Sequence, residues 1–355
     1  MGDSMPRRSG RGARRNIPNQ YERLHIDVDP GALDDDERRS VETTYLRDPS
    51  ESILSENESP DVPFTYSLNP YRGCEHGCPY CYARPSHEYW GLSAGLDFES
   101  RIFVKEDAPK LLSERLQKKS WTPQGVALSG NTDPYQPVEQ ELEITRSCLE
   151  VFNRHRNPVS IVTKSGRIRR DIDLLGEMAE LNLVSVAISL TTVDDSLAGK
   201  LEPRAARPSL RLDTIEAVSE AGVPVSILVA PLIPGLNDEE IPKILEAAGE
   251  RGAQNASYVL LRLPGSVKDI FVSWVEDHFP DRKSRILGRL RDLREGELNE
   301  TAFGRRMRGQ GEWARIFRQL FRSARADNGL DRGRPPLSTD HFRRLPGGQR
   351  SLFDG

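Results

Sequence analysis

The feature that most constrains the fold is a regular alternation of short apolar runs with stretches of helical spacing, which begins near Phe64. The apolar runs are rich in β-branched residues and have the length of buried parallel strands. The first predicted strand lies in residues 64–73 and leads into a cysteine-rich loop. The others occupy residues 125–130, 159–164, 183–190, 223–231 and 256–263.

Between these runs, apolar residues recur every three or four positions, as on one face of a helix. The predicted helices occupy residues 108–120, 141–155, 170–182, 211–222, 239–252 and 266–279. Strict alternation of strand and helix predicts an α/β fold with a parallel sheet and right-handed crossovers. The sequence therefore predicts a partial (β/α)6 barrel of the TIM type, with functional residues on the loops that follow the strands.

Composition divides the rest of the chain. Residues 1–60 are polar and acidic and predict a mostly disordered N-terminal extension, so the barrel itself is assigned to residues 61–280. A basic helical C-terminal extension is predicted at residues 281–328, and a flexible tail rich in proline, glycine and arginine at residues 329–355.

The net charge of −4 conceals a strong segregation of charge. Residues 27–61 contain 12 Asp and Glu against 3 Lys and Arg, whereas residues 282–350 contain 18 Lys and Arg against 8 Asp and Glu. Such a basic region is typical of a nucleic-acid-facing surface, and equally of a solvated helical face with a disordered tail.

Within the basic region, residues 305–325 predict an amphipathic helix. Its apolar side, expected to pack on the barrel, consists of Trp313, Ile316, Phe317, Leu320 and Phe321. Its outward side, expected to face phosphates, includes Arg315, Arg318, Arg322 and Arg325.

Cysteine usage and the absence of long apolar segments indicate the compartment. The chain has 4 cysteines, three of them clustered, which suits a reducing cytosol better than a disulfide scaffold. No apolar run is long enough for a transmembrane helix, and the arginine-rich N-terminus has no apolar segment of a secretory signal. We therefore expect a cytoplasmic protein with no membrane partner.

The clustered cysteines, Cys74, Cys78 and Cys81, lie on a loop that contains Gly73 and Gly77. Thiolates are the usual protein ligands of iron–sulfur clusters, and three of them on a short loop can wrap one corner of an iron–sulfur cube. Three thiolates leave the fourth iron of such a cube open to another ligand. A zinc ion or a purely structural metal remains the alternative interpretation.

These cysteines, with Tyr80 just before the third, resemble the signature of the radical S-adenosylmethionine (SAM) superfamily. The resemblance covers about residues 63–321 and is closest to the spore photoproduct lyase-like, or DNA repair photolyase-like, branch. It implies a [4Fe-4S] cluster whose open iron binds SAM, and a reductive cleavage of SAM to a 5′-deoxyadenosyl radical. It also implies an electron donor of the flavodoxin or ferredoxin type.

The resemblance further implies where SAM binds. The amine would lie near Gly130 and Asp133, where the chain departs from the Gly-Gly-Glu motif of the superfamily. Ser189 and Glu202 would bond the ribose hydroxyls, and Arg204 or Arg211 would pair with the carboxylate. A turn containing Pro231 and Ile233 would line the adenine, and Tyr80 completes the expected cofactor contacts. Alternatively, Glu202 and Arg204 form only a loop ion pair, and Asp133 belongs only to a turn.

Two classes of function follow from these features. The first is a radical SAM enzyme acting on nucleic acid by a lyase-like repair reaction, with a protein or small-molecule substrate as the alternative. The second is a nucleic-acid-binding protein with a structural metal site. Cys148 lies on the apolar face of a predicted helix, so we expect it to pack in the core rather than to donate hydrogen.

A short segment of the tail suggests one further partner. Residues 349–353, QRSLF, resemble the motif by which bacterial replication and repair proteins bind the sliding clamp, although Arg350 stands where an apolar residue is usual. Alternatively, Leu352 and Phe353 fold back onto the barrel of the same chain.

Overall fold

The computed structural model describes residues 10–13, 16–17, 19, 21, 42–333 and 336–345. The strands are β1 Thr44–Arg47, β2 Leu54–Glu56, β3 Tyr66–Leu68, β4 Tyr71–Arg72, β5 Arg101–Val104, β6 Val126–Leu128, β7 Val159–Thr163, β8 Val184–Ser189, β9 Val225–Leu232 and β10 Asn255–Leu260. The α-helices are α1 Asp97–Ser100, α2 Ala108–Gln117, α3 Glu139–Leu142, α4 Ile144–His155, α5 Ile172–Glu180, α6 Asp195–Leu201, α7 Pro208–Glu220, α8 Ile241–Glu250, α9 Val267–His278, α10 Lys283–Asp292 and α11 Gly311–Asp327.

The main sheet contains the six predicted parallel strands in chain order. Among the described residues it has the order β10-β9-β8-β7-β6-β3-β2, and only the short edge strand β2 is antiparallel. Each of the six parallel strands is followed by a predicted helix: α2, α4, α5, α7, α8 and α9. The prediction of a partial (β/α)6 barrel is therefore confirmed.

The barrel core is built by the alternation that the sequence shows. Val126, Val186 and Ile227 of the central strands are fully buried. On the helices, apolar stripes such as Ile144, Leu149 and Phe152 of α4 pack against the strands. The carboxyl ends of the parallel strands meet at one edge of the barrel, and the loops that follow them meet there too.

The first predicted strand differs in detail from the prediction. Residues 64–73 form two strands, because β3 joins the main sheet while β4 pairs with β5 in a separate sheet of order β1-β5-β4. Asn69 and Pro70 lie between them, and Pro70 interrupts the pattern because it has no backbone N–H to donate to a ladder. The cysteine loop follows β4, at the margin of the barrel.

The N-terminal extension is only partly as predicted. Most of residues 1–41 lie outside the described residues. Residues 42–60, which the sequence predicted to be disordered, contain β1 paired with β5 and β2 paired with β3. Their polar side chains can stay exposed because the strands are fixed by backbone hydrogen bonds along existing sheet edges, a tertiary effect that composition does not reveal.

The basic extension contains α10 and α11. The predicted helix at residues 305–325 begins only at Gly311, because Gly304, Gly309 and Gly311 adopt positive φ angles that interrupt a helix. Phe317 and Phe321 are buried against the barrel as predicted, whereas Ile316 is 39% exposed.

Within the tail, residues 336–345 lie against the ends of α2 and α4. Arg343 N donates to His155 O at 2.9 Å, and Gln117 Nε2 donates to Leu345 O at 2.8 Å. The predicted clamp-binding segment at residues 349–353 lies outside the described residues and stays a prediction. Within the described part of the chain, none of the helices has the length and apolarity needed to cross a membrane.

Candidate active site at the cysteine loop

The cysteine loop folds back on itself after β4. Gly73 and Gly77 have φ angles of +82° and +71°, which side-chain-bearing residues rarely adopt. Cys74 and Cys78 are buried, Cys81 is partly buried, and all three are free thiols. Burial raises the pKa of Cys74, and the charges of Asp133, Cys78 and Cys81 raise it further. The assignment of these three thiols as metal ligands stays a prediction.

Burial is the main influence on these thiols. It raises the pKa of Cys74 well above its ordinary value, that of Cys78 to about 12, and that of Cys81 as well. A cysteine binds a metal as the thiolate, so the site needs a strong positive charge to ionise its cysteines. Among the described residues, no three His, Cys, Asp or Glu side chains are grouped as ligands of a single metal ion. A set of three free thiols on one glycine-containing loop fits the donor chemistry of an iron–sulfur cluster.

A buried ion pair holds the backbone of the loop. Arg84 and Glu99 are fully buried and bond each other, and Arg84 Nε donates to Cys78 O at 2.8 Å. Its other donors reach Ala94 O at 3.0 Å and Gly95 O at 2.9 Å. Because a guanidinium presents donors in a fixed plane, Arg84 fixes the position of the loop relative to residues 94–99.

The N-terminal segment 10–13 also contacts the cysteine loop, a contact that was not predicted from the sequence. Gly12 N and Ala13 N donate to the Glu99 carboxylate at 3.0 and 2.7 Å. A Cβ atom at Gly12 would lie 1.5 Å from Gly77 O, so only glycine fits there. Segment 10–13 therefore packs directly on the cysteine loop at Gly77.

Four of the predicted cofactor residues belong to one buried network. Glu202, 3% exposed, accepts hydrogen bonds from Tyr80 Oη, from Thr191 Oγ1 at 2.7 Å and from Arg211 Nη2. Arg211 also donates to Ser189 O at 2.9 Å. The network joins the cysteine loop to the last residue of β8 and to the first turn of α7.

Electrostatics keep Glu202 ionised. Burial opposes its charge, but Arg211, Lys164 and the hydroxyls of Tyr80 and Thr191 outweigh burial and lower its pKa to about 2. All the nitrogens of Arg211 have acceptors, since Nε bonds Ala206 O at 2.8 Å. Arg211 therefore holds the Glu202 carboxylate in place.

The residues predicted near the SAM amine lie at the end of β6. Asp133 accepts hydrogen bonds from Thr163 Oγ1 and from Lys164 N, both at 2.7 Å. Gly130 O accepts a hydrogen bond of 2.5 Å from Tyr82 Oη. Asp133 therefore ties the end of β6 to the end of β7, and Gly130 lies beside the cysteine loop.

The turn after β9 is rigid and apolar. Asn237 bonds it from inside, since Asn237 Oδ1 accepts from Ile233 N at 2.7 Å and Nδ2 donates to Pro231 O at 3.1 Å. Ile233 is fully buried in the apolar cluster that also contains Cys78 and Tyr80. Ser189 Oγ donates to Ala230 O at 3.2 Å, which links this turn to the Glu202 network.

Arg204 lies apart from the Glu202 network, on the cysteine loop. Its guanidinium pairs with Glu75 at 3.1 Å, and its backbone N–H donates to His76 O at 3.4 Å. Cys148 is fully buried in the main core, as expected from its place on α4.

Lys164 is a site residue that the sequence interpretation missed. Its ammonium nitrogen lies 6.0 Å from the centroid of the Tyr80 ring, and its charge influences the pKa of Cys78, Cys81 and Glu202. No described carboxylate lies within ion-pair distance of it. Its place directly after β7, at the carboxyl edge, was the available signal.

Residues 68–248 match the model of the radical SAM superfamily, and this range contains all three clustered cysteines and Lys164. The chain belongs to the radical SAM superfamily. It is therefore an enzyme of the radical SAM class, and its cofactors are a [4Fe-4S] cluster and SAM.

The chain is also similar to curated proteins over part of its length. An uncharacterized protein of Mycobacterium tuberculosis is 37% identical over 226 residues, which cover 63% of this chain and 66% of that protein. A radical SAM Nalpha-GlyT isomerase of Pseudomonas phage M6 is 31% identical over 169 residues, covering 47% of this chain and 33% of that protein.

Among solved structures, the chain resembles spore photoproduct lyase complexed with dinucleoside spore photoproduct. The TM-score is 0.56 at 15% sequence identity, and the alignment covers 80% of this chain and 79% of that chain. The match shows that the two proteins share a fold.

Proposed function

We propose that Cys74, Cys78 and Cys81 hold the [4Fe-4S] cluster and that the enzyme acts on nucleic acid by a lyase-like reaction. The observation that carries the proposal is the set of three free thiols on one loop at the margin of a radical SAM barrel. When bound, the cluster and SAM would supply a 5′-deoxyadenosyl radical through reductive cleavage of SAM, with the electron from a flavodoxin- or ferredoxin-type donor.

The polar residues at the carboxyl edge orient SAM. Lys164 pairs with its carboxylate, because it is a cation near the cysteines without a carboxylate partner in the described chain. Glu202 accepts ribose hydroxyls, and Asp133 with Gly130 O meets the amine. Arg211 positions Glu202, and Arg204 stabilises the cysteine loop through Glu75.

The apolar residues exclude water. Tyr80 and Ile233 belong to the buried cluster beside Cys78, and the turn from Pro231 offers a flat apolar wall to the adenine. Exclusion of water protects a radical from side reactions, and the protein supplies this protection while the cofactor supplies the chemistry.

The nucleic-acid part of the proposal is supported mainly by charge. Exposed arginines are concentrated in residues 282–350, and Arg318 and Arg322 make no ion pair with a described residue. A structural neighbour points the same way, since spore photoproduct lyase was solved with a dinucleoside spore photoproduct.

The test is anaerobic reconstitution with iron and sulfide, followed by dithionite and SAM. The wild-type enzyme should turn brown and release 5′-deoxyadenosine, while Cys81→Ala should lose both the visible absorbance and the product. Cys148→Ala is the matched control, because Cys148 is a free thiol in the core. Wild-type levels of iron and product in Cys81→Ala would refute the assigned ligands.

A further inference from the structure

An exposed aromatic residue directly follows the third cysteine. Tyr82 is 47% exposed, and its hydroxyl bonds Gly130 O at the end of β6. The guanidinium carbon of Arg262, two residues beyond the end of β10, lies 5.7 Å from the centroid of the Tyr82 ring. The ring and the guanidinium therefore lie together where the cysteine loop meets the end of β10.

A second exposed aromatic residue, Phe303, lies on a segment, residues 303–307, that is anchored at two points. Met307 O accepts a hydrogen bond of 3.1 Å from Leu260 N, which joins this segment to β10. Arg306 bonds Asp61 and donates to Ser59 Oγ at 2.6 Å, which joins the segment to the loop after β2.

On this segment, the guanidinium carbon of Arg306 lies 4.4 Å from the centroid of the Phe303 ring, and Phe303 is 56% exposed. Arg262 Nη1 donates to Met307 Sδ at 3.9 Å, so Arg262 lies against the segment that carries Arg306. Tyr82, Arg262, Arg306 and Phe303 thus form one surface of alternating rings and guanidiniums, which we call the ring-arginine surface.

A buried arginine, Arg294, bonds the residue that precedes Arg262. Arg294 is 3% exposed and donates to Leu261 O at 2.8 Å, but its Nε and Nη1 have no acceptor among the described residues. Burial lowers its pKa to about 10. Neither Arg294 nor Arg262 forms an ion pair within the described chain. An anion on the ring-arginine surface would gain from both charges.

We propose that the ring-arginine surface binds single-stranded nucleic acid, with bases stacked on Tyr82 and Phe303 and the intervening phosphate paired with Arg262. This inference rests on the proposed nucleic-acid substrate and specifies its form. Proteins that bind single strands combine a basic surface with aromatic rings on which successive bases stack. In a duplex the bases are stacked on one another, so both rings can be used only by an unpaired strand.

Binding of labelled oligonucleotides to the reconstituted enzyme tests this surface. The wild type should bind a single-stranded 12-mer more tightly than the matching duplex, measured by fluorescence anisotropy. Phe303→Ala should weaken single-strand binding about tenfold, as expected from the loss of one stacked base. Arg262→Gln should weaken it and reduce the salt slope by about 0.7, as expected from the loss of one phosphate contact.

Tyr89→Ala is the matched control, since Tyr89 is 74% exposed and its ring stacks on Tyr21 rather than on a residue of this surface. Unchanged single-strand affinity in both Phe303→Ala and Arg262→Gln would overturn the inference and leave a nucleic-acid substrate standing. Preference of the wild type for duplex would also overturn it. Absence of binding to either form, with SAM cleavage intact, would instead refute the nucleic-acid part of the proposed function and the inference with it.

Discussion

Glu202 accepts hydrogen bonds from side chains of three separate regions of the chain: the cysteine loop, the segment after β8, and α7. A buried carboxylate is costly unless it is paired and hydrogen-bonded, and Arg211 with two hydroxyls meets that need. The result is a charge with a pKa of about 2 in the folded protein. Its contribution to stability must therefore depend on pH.

We expect Glu202→Gln to lower the free energy of unfolding at neutral pH by about 3 kcal/mol, because it leaves the Arg211 guanidinium buried without a counter-charge. The carboxyl has a lower pKa in the folded protein than its ordinary value of 4.5. Its stabilisation is therefore complete above pH 4.5 and is lost as the pH falls toward 2. The difference between wild type and variant should shrink by about 1.4 kcal/mol at about pH 3.5.

Denaturant titrations at both pH values measure this difference. Glu312→Gln serves as the control, because its carboxylate is 77% exposed and should give little change at either pH. A difference between wild type and Glu202→Gln that stays constant with pH would contradict the lowered pKa.

Lys164 gives a second prediction at the residue scale. Lys164→Met should weaken SAM binding at least about tenfold, because hydrogen bonds to charged groups contribute about 1.5–3 kcal/mol. The cluster should be retained, since its thiol ligands remain. Equilibrium dialysis with SAM measures the affinity, and iron content measures the cluster. Lys119→Met, at an exposed lysine beyond α2, is the control, and equal SAM affinity in both variants would remove Lys164 from the site.

Among the elements, segment 10–13 has an unexpected effect on the cysteine loop. It satisfies Glu99 and covers Gly77, so it shields the loop from solvent. Gly12→Val should displace the segment because no side chain fits against Gly77 O. We expect the reconstituted cluster of this variant to lose its visible absorbance several-fold faster under air or an iron chelator.

A matched glycine substitution separates displacement from a general loss of stability. Gly288→Ala on α10 meets no atom within 4 Å and should leave the rate of cluster loss at the wild-type value. If Gly12→Val loses its cluster no faster than Gly288→Ala, the segment has no protective role.

The elements differ in how far they could be predicted from short stretches of sequence. The six strand–helix pairs could be predicted because β-branched runs and helical periodicity lie within short windows of sequence. Strands β1 and β2 could not, because their exposed residues gain order only by pairing with other strands. The same reason hid segment 10–13, whose partner Glu99 lies 86 residues from Ala13.

The candidate site divides in the same way. The thiols could be found because their spacing is local, whereas Lys164 and the roles of Arg204 and Arg211 depend on distant partners. The sequence named both arginines as possible partners of the SAM carboxylate. In the structure Arg211 pairs with Glu202 and Arg204 with Glu75.

At the scale of the whole molecule, α11 is bonded to the rest of the chain at both of its ends. Gln310 N, just before the helix, bonds Leu293 O, while Arg325 near its end donates to Asn255 Oδ1 at the start of β10. Arg315 faces outward as predicted, 3.5 Å from Glu312, whereas Arg325 folds back onto Leu330 O. Arg318 and Arg322 are exposed and lie four residues apart, on the same face of α11.

This geometry predicts that Arg318 and Arg322 contact phosphates without reading sequence. The double variant Arg318→Glu/Arg322→Glu should weaken binding by a similar factor for every oligonucleotide tested, since phosphate contacts are independent of sequence. For a single strand the salt slope should fall by about 1.4, which is two phosphate contacts at about 0.7 each. Lys118→Glu/Lys119→Glu makes the same change in net charge at two exposed lysines beyond α2 and should leave the slope unchanged. If both double variants weaken binding equally, net charge rather than a surface on α11 governs the affinity. If neither double variant weakens binding, α11 does not contact nucleic acid. Any binding would then have to come from the ring-arginine surface.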